Sequence, residues 1–251
     1  MKFAASLLSA VFCFSAAAYA ETITTQAADG VTVYGEAYYA DLPTSTPMIS
    51  LFHQAGSNGR GEYGPLTDWL NGLGYRVIAW DQRSGDGHFG GDNRTAAEAS
   101  GPDSYCDAYP DVEAGVAYAY EMAQAVPLII WGSSYSASLV WRAAAEHPHE
   151  SDGVVAMSTA TGGKLDKCGA KAGLPNLADP GLAVWPTKEG GQAKALSKLL
   201  TAKNVEVLIV EDGVHGSSTL VDERTGHDMS AARAQVAEWL ENLVRTQEAR
   251  P

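Results

Sequence analysis

The chain has 251 residues, 45% of them hydrophobic, with 30 Asp and Glu against 17 Lys and Arg and a formal net charge of −13. So acidic a balance excludes electrostatic binding to nucleic acid or to anionic membranes. The length suits one domain with a sizeable core.

The first 20 residues read as an export signal. Lys2 supplies the positive start, residues 3–18 the apolar stretch, and Ala18-Tyr19-Ala20 the small-x-small cleavage site. The mature chain is expected to begin at Glu21 and to form a single domain over 21–251, periplasmic or secreted. No later segment approaches the roughly 20 apolar residues a membrane span needs, so no stable membrane association is expected. Removing the signal takes Cys13 with it and leaves Cys106 and Cys168. In an oxidising compartment these two are expected to pair. Asn93-Arg94-Thr95 matches the N-glycosylation acceptor pattern, a match of little weight alone.

Hydrophobic runs and turn signals then give an alternating order. Extended segments at 22–26 and 31–39 flank Ala28-Asp29-Gly30, a hairpin signal. Residues 47–53 read as a buried strand, 66–73 as a helix closed by Gly74, and 75–80 as the next strand. The stretch 81–107 is irregular and rich in Gly and Asp. A helix at 111–124, a strand at 126–131 and a helix at 135–146 follow. Residues 153–158 make a strand, 159–180 irregular chain, 182–185 a short strand and 192–200 a helix. The last strand is 205–210 and the last helix 228–245, where Ala232, Val236, Trp239, Leu240 and Val244 recur near a 3.6-residue period. Strands alternating with helices imply a mostly parallel sheet covered on both faces.

The segment Val126-Pro-Leu-Ile-Ile-Trp-Gly-Ser-Ser-Tyr-Ser136 is the most informative. An apolar run stops at Gly132 and a helical run starts almost at once, with Gly132-Ser133-Ser134-Tyr135-Ser136 between them. This is the Gly-x-Ser-x-Gly pattern of a nucleophile elbow with Ser in the last place. The residues two before and two after the nucleophile must be small there, and Ser134 is lifted above the sheet edge.

A serine hydroxyl needs a base, a group to orient the base, and donors for an oxyanion. The candidate base is His215, which follows the last strand in Asp212-Gly213-Val214-His215-Gly216. That position and the flanking glycines favour it over His227, which stands at the start of the final helix. His147 and His149 flank Pro148 at a helix end, and His88 lies in the irregular stretch. For the orienting acid, Glu189 follows the penultimate strand, with Asp166, Asp179 and Asp212 as alternatives. Glutamate can fix an imidazole tautomer as aspartate does, although an acid there can also serve the helix starting near Gln192. For the oxyanion, the loop His53-Gln54-Ala55-Gly56-Ser57 offers the backbone N–H of Ala55 or Gln54, and Tyr135 offers the second donor. His53 is expected to shape that loop rather than act as a base.

Asp86, Asp92 and Asp103 could hold calcium, but no ligand set has a recognisable metal spacing. Residues 85–91 lack the features of a phosphate loop. No metal or organic cofactor is expected.

With oxyanion loop, elbow, acid and histidine in this order, the chain resembles an α/β-hydrolase, most closely the dienelactone hydrolase-like branch and its secreted esterase relatives. The resemblance runs from His53 through the elbow to Ser218. It implies a mostly parallel sheet with helices on both faces, Ser134 as nucleophile, Glu189 as acid and His215 as base. Asp81-Gln82-Arg83-Ser84-Gly85 looks like the family's Asp-x-Arg-Gly structural turn. The irregular 159–180 stretch implies no large lid. Dienelactone hydrolases proper use a cysteine nucleophile, so Ser134 points to a small-molecule ester substrate. An amidase or peptidase, or a noncatalytic binding protein on the same scaffold, are the alternatives. A monomer is the default.

Overall fold

The computed structural model describes residues 20–39, 41–99 and 104–248. In chain order the elements are β1 (Ala20–Gln26), β2 (Thr32–Tyr38), β3 (Met48–Phe52), α1 (Gly59–Gly72), β4 (Arg76–Trp80), α2 (Arg94–Glu98), α3 (Tyr109–Ala123), β5 (Leu128–Ser133) and α4 (Tyr135–Glu146). Then come β6 (Gly153–Met157), α5 (Ala170–Gly173), β7 (Gly181–Pro186), α6 (Gly190–Ala202), β8 (Glu206–Val210), α7 (Asp222–Thr225) and α8 (Ser230–Glu248). Apart from Ala20, which opens β1, the expected signal segment lies outside the described residues, as does Asp103.

The eight strands form one sheet in the order β1-β2-β4-β3-β5-β6-β7-β8. The pairs β1–β2 and β2–β4 are antiparallel and all the others parallel. Every position of β3, β4, β5, β6 and β7 is buried, which is why these strands read as continuous apolar runs rather than alternating ones. The period of two still sorts them. Ile49, Leu51, Ile129, Trp131, Val155 and Val184 pack with Leu66 and Leu70 of α1 and Val236 and Leu240 of α8. Met48, Phe52, Ile130, Val154 and Trp185 pack on the other face with Val112 of α3, Leu139 and Trp141 of α4, and Leu196 of α6. A one-residue slip of any central strand would exchange these two sets.

The chain leaves β3 for β4 on one side, then returns past β3 to reach β5 on the other. The C-terminal ends of β3 and β5 therefore border the crevice where connections diverge, the usual place for a ligand in an open α/β sheet.

Helix α1 begins at Gly59, not near residue 66, because Asn58 caps it by accepting the Gly61 N–H at 2.7 Å. The glycines that discourage a helix reading permit close packing: a Cβ at Gly59 would sit 2.9 Å from the Ala79 carbonyl carbon, and one at Gly61 2.5 Å from the Gly90 oxygen. Pro65 lies inside the helix and has no N–H for the Gly61 carbonyl. Arg224 donates to that oxygen instead, at 2.6 Å, and to the Glu62 carbonyl at 2.8 Å. The irregular 81–107 and 159–180 stretches contain the short α2 and α5 besides 3-10 turns, each too short to leave a hydrophobic period.

Candidate active site

Strand β5 ends at Ser133, and Ser134 turns the chain into α4 with φ 60° and ψ −115°. A non-glycine residue there stores backbone strain. The turn is tight enough that a Cβ on Gly132 would lie 2.4 Å from the Ser136 carbonyl oxygen, so position 132 admits glycine alone. Ser136 tolerates a side chain because its hydroxyl has work. It donates to the His53 carbonyl at 2.6 Å and accepts from Gln82 Nε2 at 2.6 Å, tying α4 to the end of β3.

The structure brings Ser134, His215 and Glu189 into one line. His215 Nε2 lies 2.7 Å from Ser134 Oγ, and His215 Nδ1 2.6 Å from Glu189 Oε1. A carboxylate only accepts, so the proton sits on Nδ1 and Nε2 is free to accept from the serine. Glu189 occupies the 3-10 turn that follows β7 and precedes α6, yet its side chain makes no cap to that helix. The Glu189 hydrogen bond raises the His215 pKa above the ordinary imidazole value, more than burial lowers it. Burial pushes Glu189 up, but His215 and the Ser158 hydroxyl hold it below the usual carboxylate range overall.

The loop carrying His215 is pinned from below. The Gly216 N–H donates to Ser158 Oγ at 2.9 Å and the Ser217 N–H to Ser133 Oγ at 3.0 Å. The Ser217 hydroxyl accepts from Trp131 Nε1 at 3.1 Å, and Thr219 Oγ1 donates to the Val214 carbonyl. Gly216 has φ +69°, and a Cβ there would lie 2.4 Å from Ser133 Oγ.

The other histidines and acids are elsewhere. His53 is fully buried; its Nδ1–H donates to the Gln54 carbonyl at 2.7 Å and its Nε2 accepts the Gln82 N–H at 2.9 Å. Burial lowers its pKa, so it is a neutral loop-shaping ring. Asp166 lies 3.9 Å from Lys171, Asp179 accepts from Ser151 at 2.9 Å, and Asp212 stands 3.7 Å from His227 at the surface. His147 faces Glu113 at 3.1 Å.

Of the expected oxyanion donors, Gln54 requires a correction. Its N–H donates to Glu62 Oε2 at 2.5 Å, because the first turn of α1 brings that carboxyl under the loop. No acceptor among the described residues takes the Ala55 N–H. Tyr135 is the first residue of α4, so its N–H has no intrahelical acceptor. Glu62 and its neighbours Ser133 and Arg224 were not legible as site residues. Asn58 as a cap, with an acid four residues on, was the available signal.

Cys106 and Cys168 form a disulfide with Cα atoms 5.6 Å apart. It joins the turn before α3 to the turn before α5. Tyr105, next to Cys106, stacks on Tyr135 with ring centroids 4.9 Å apart. A hollow of about 300 Å³ starts at Ala55 and Gly56 and runs to Arg83, Tyr105 and Lys164. A second, of about 470 Å³, shares Ala55 and Gly56 and extends to Asp86 and His88. The Asp-x-Arg turn is structural: Arg83 pairs with Asp111 at 2.6 Å and with Asp29 at 2.5 Å. Asn93 of the glycosylation pattern is buried and donates to the Gln82 and Ser57 carbonyls, so it is closed to a glycan. Among the described residues Asp86 and Asp92 are not gathered with a third metal-binding group; Glu113, Glu146 and His147 are. Glu146 there is engaged by Arg142 and Tyr109.

Sheet order, strand-end turn and cover on both faces define an α/β-hydrolase. The chain matches the family described as Hydrolase_4, serine aminopeptidase S33, over residues 47–242, and belongs to it. No curated protein matches its sequence. Among solved structures, it is similar to Est1E from Butyrivibrio proteoclasticus, with a TM-score of 0.67, 13% identity, and cover of 89% of this chain and 99% of that one. It is also similar to a predicted CIB-like hydrolase from Thermoplasma acidophilum, with a TM-score of 0.64, 16% identity and cover of 89% and 99%. A dienelactone hydrolase from Anabaena variabilis matches with a TM-score of 0.61, 15% identity and cover of 89% and 97%. At such identities the likeness is one of fold.

Proposed function

We propose that the protein is an exported serine hydrolase that cleaves carboxylic esters through an acyl-enzyme. The observation that carries this reading is the hydrogen-bonded line from Ser134 through His215 to Glu189 at the strained turn after β5. In this scheme His215 takes the Ser134 proton as the hydroxyl attacks the ester carbonyl. The Ala55 and Tyr135 N–H groups receive the oxyanion. His215 then protonates the departing alcohol and activates the water that releases the acid, while Glu189 holds the ring and stabilises its cation. Export rests on the 1–20 signal pattern and the Cys106–Cys168 bond. Among the described residues no helix is long and apolar enough to cross a membrane.

A peptidase or amidase is the second reading, favoured by the family's description as serine aminopeptidases. The discriminating experiment is hydrolysis of p-nitrophenyl esters from acetate to decanoate, beside matched anilides, by wild type and Ser134→Ala. Ester turnover is expected, with Ser134→Ala lowering kcat on the order of 10⁶-fold. Anilide turnover without ester turnover would establish the peptidase. Silence on both, with no fluorophosphonate labelling of Ser134, would leave a noncatalytic binding protein.

A further inference from the structure

Directly behind the Ser134–His215 pair sits an acid that the scheme above does not use. Glu62, in the first turn of α1, has no exposed surface. Its Oε2 accepts the Gln54 N–H at 2.5 Å, one residue before the Ala55 donor. Its other oxygen, Oε1, is buried without a hydrogen-bond partner, and so is the Gln54 side-chain oxygen, Oε1. Both atoms border the Cα of Gly216, the residue after His215. A Cβ at Gly216 would lie 2.7 Å from Gln54 Oε1, 3.5 Å from Glu62 Oε1 and 2.4 Å from Ser133 Oγ. An amide oxygen and an ionised carboxylate are both acceptors only; the Ser133 hydroxyl beside Glu62 has one proton to give, which leaves the two buried oxygens one donor short, at a cost. One proton supplied by Glu62 satisfies both.

We propose, building on the serine-hydrolase reading, that Glu62 is a positioning residue that works in its protonated form. It accepts the Gln54 N–H on Oε2 and donates its own O–H to the Gln54 side-chain oxygen. This two-point clasp fixes the turn that aims the Ala55 N–H, while placing no negative charge behind the oxyanion donors.

The surroundings set the balance. The Glu62 carboxyl faces the Arg224 guanidinium of α7, the His215 ring, the Ser133 hydroxyl, and the Tyr63 and Tyr135 phenols. Burial favours the neutral acid. Ser133, the Gln54 N–H, Arg224 and His215 all favour the carboxylate, as does the start of α1. Burial wins, pushing the carboxyl up to about 7. Activity therefore rises with pH as His215 loses its proton and falls as Glu62 loses its own, giving a narrow bell. Glutamine in place of Glu62 keeps the acceptor for the Gln54 N–H and supplies N–H donors for the Gln54 oxygen, but cannot ionise.

The test uses the mature protein and two readouts. In kinetics, Glu62→Leu is expected to lose kcat on the order of 100-fold, as for a misplaced oxyanion donor, with KM moved little. Glu62→Gln should recover most of that loss and abolish the alkaline limb, which in wild type falls about tenfold per pH unit. In infrared difference spectra of wild type against Glu62→Gln, a protonated-carboxyl band is expected at about pH 6, lost as the pH rises through about 7. The same alkaline limb in Glu62→Gln would overturn the proposal. So would the absence of the band, because the Gln54 amide would then present its nitrogen to an ionised Glu62. If Ser134-dependent turnover is absent, the serine-hydrolase reading fails by itself, and the infrared titration still decides whether Glu62 carries the proton.

Discussion

The loops at the C-terminal edge of the sheet fall into two kinds. The turn after β5 and the loop after β8 are short and held by named bonds to the strands beneath them. Ser134 N–H donates to the Met157 carbonyl at 2.8 Å, and the Gly216 and Ser217 N–H groups donate to Ser158 and Ser133. The loops after β4 and β6 are long, and their outer parts meet through one covalent link, Cys106–Cys168. The first kind carries Ser134 and His215, the nucleophile and base proposed for the chemistry. The second makes the wall of the adjoining hollow. Backbone bonds to a rigid sheet can hold a reacting group within a fraction of an ångström, whereas a cross-link limits how far two loops part without fixing each side chain.

Breaking the covalent link is the largest stability test of that contrast. The cysteines are 62 residues apart, and the chain-entropy model assigns such a closure about 4 kcal/mol. Cys106→Ser with Cys168→Ser is expected to lower unfolding stability by up to that amount, to raise KM and to leave kcat within a few-fold. Denaturant melts and ester kinetics on the same samples read both. A fall in kcat as steep as that of the stability would mean that wall and chemistry are one unit. Two free thiols in the wild-type protein, by mass spectrometry, would remove the link altogether.

A smaller effect is expected from Ser136→Ala, which probes the first kind of loop. The change leaves the buried His53 carbonyl and the Gln82 amide without their mutual partner. The net cost is expected to be about 1–3 kcal/mol. Because the link joins α4 to the loop bearing Ala55, kcat should fall along with stability, unlike the cysteine pair. Stability lost at constant kcat would show that the Ala55 turn is held by Glu62 alone.

This contrast also explains what the sequence made legible. Gly132, Ser134 and His215 were readable because a tight turn admits few residue types, and the strands around them are uninterrupted apolar runs. Glu189 was readable only by its place after the penultimate strand, since a helix start is an equally ordinary setting for an acid. Helix α1 began earlier than expected because Gly59, Gly61 and Pro65, unfavourable locally, are compensated by close packing on β4 and by Arg224. Arg224 is 162 residues from Glu62, a separation no local pattern can bridge. Gln54 reads as an oxyanion donor for a different reason: the Glu62 carboxyl that takes its N–H is near in sequence but belongs to a turn of helix hidden in glycines.

The smallest expected effect concerns the wall's own chemistry. Two cations border the hollow that begins at Ala55. Arg83 is spent on Asp29 and Asp111, whereas Lys164 meets no carboxylate among the described residues and lies 5.7 Å from the centre of the Tyr105 ring. An exposed ammonium in high dielectric is worth about 1 kcal/mol or less to a bound anion. Lys164→Met, which keeps an unbranched side chain, should change stability by less than about 0.5 kcal/mol. For an ester bearing a free carboxylate it should lower kcat/KM about two- to five-fold relative to a neutral ester of the same length, since that factor corresponds to less than about 1 kcal/mol. Added salt should narrow the wild-type preference in the same direction, because exposed charges are screened. A ratio unchanged by both the substitution and salt would mean that the charged end of such a substrate does not meet Lys164.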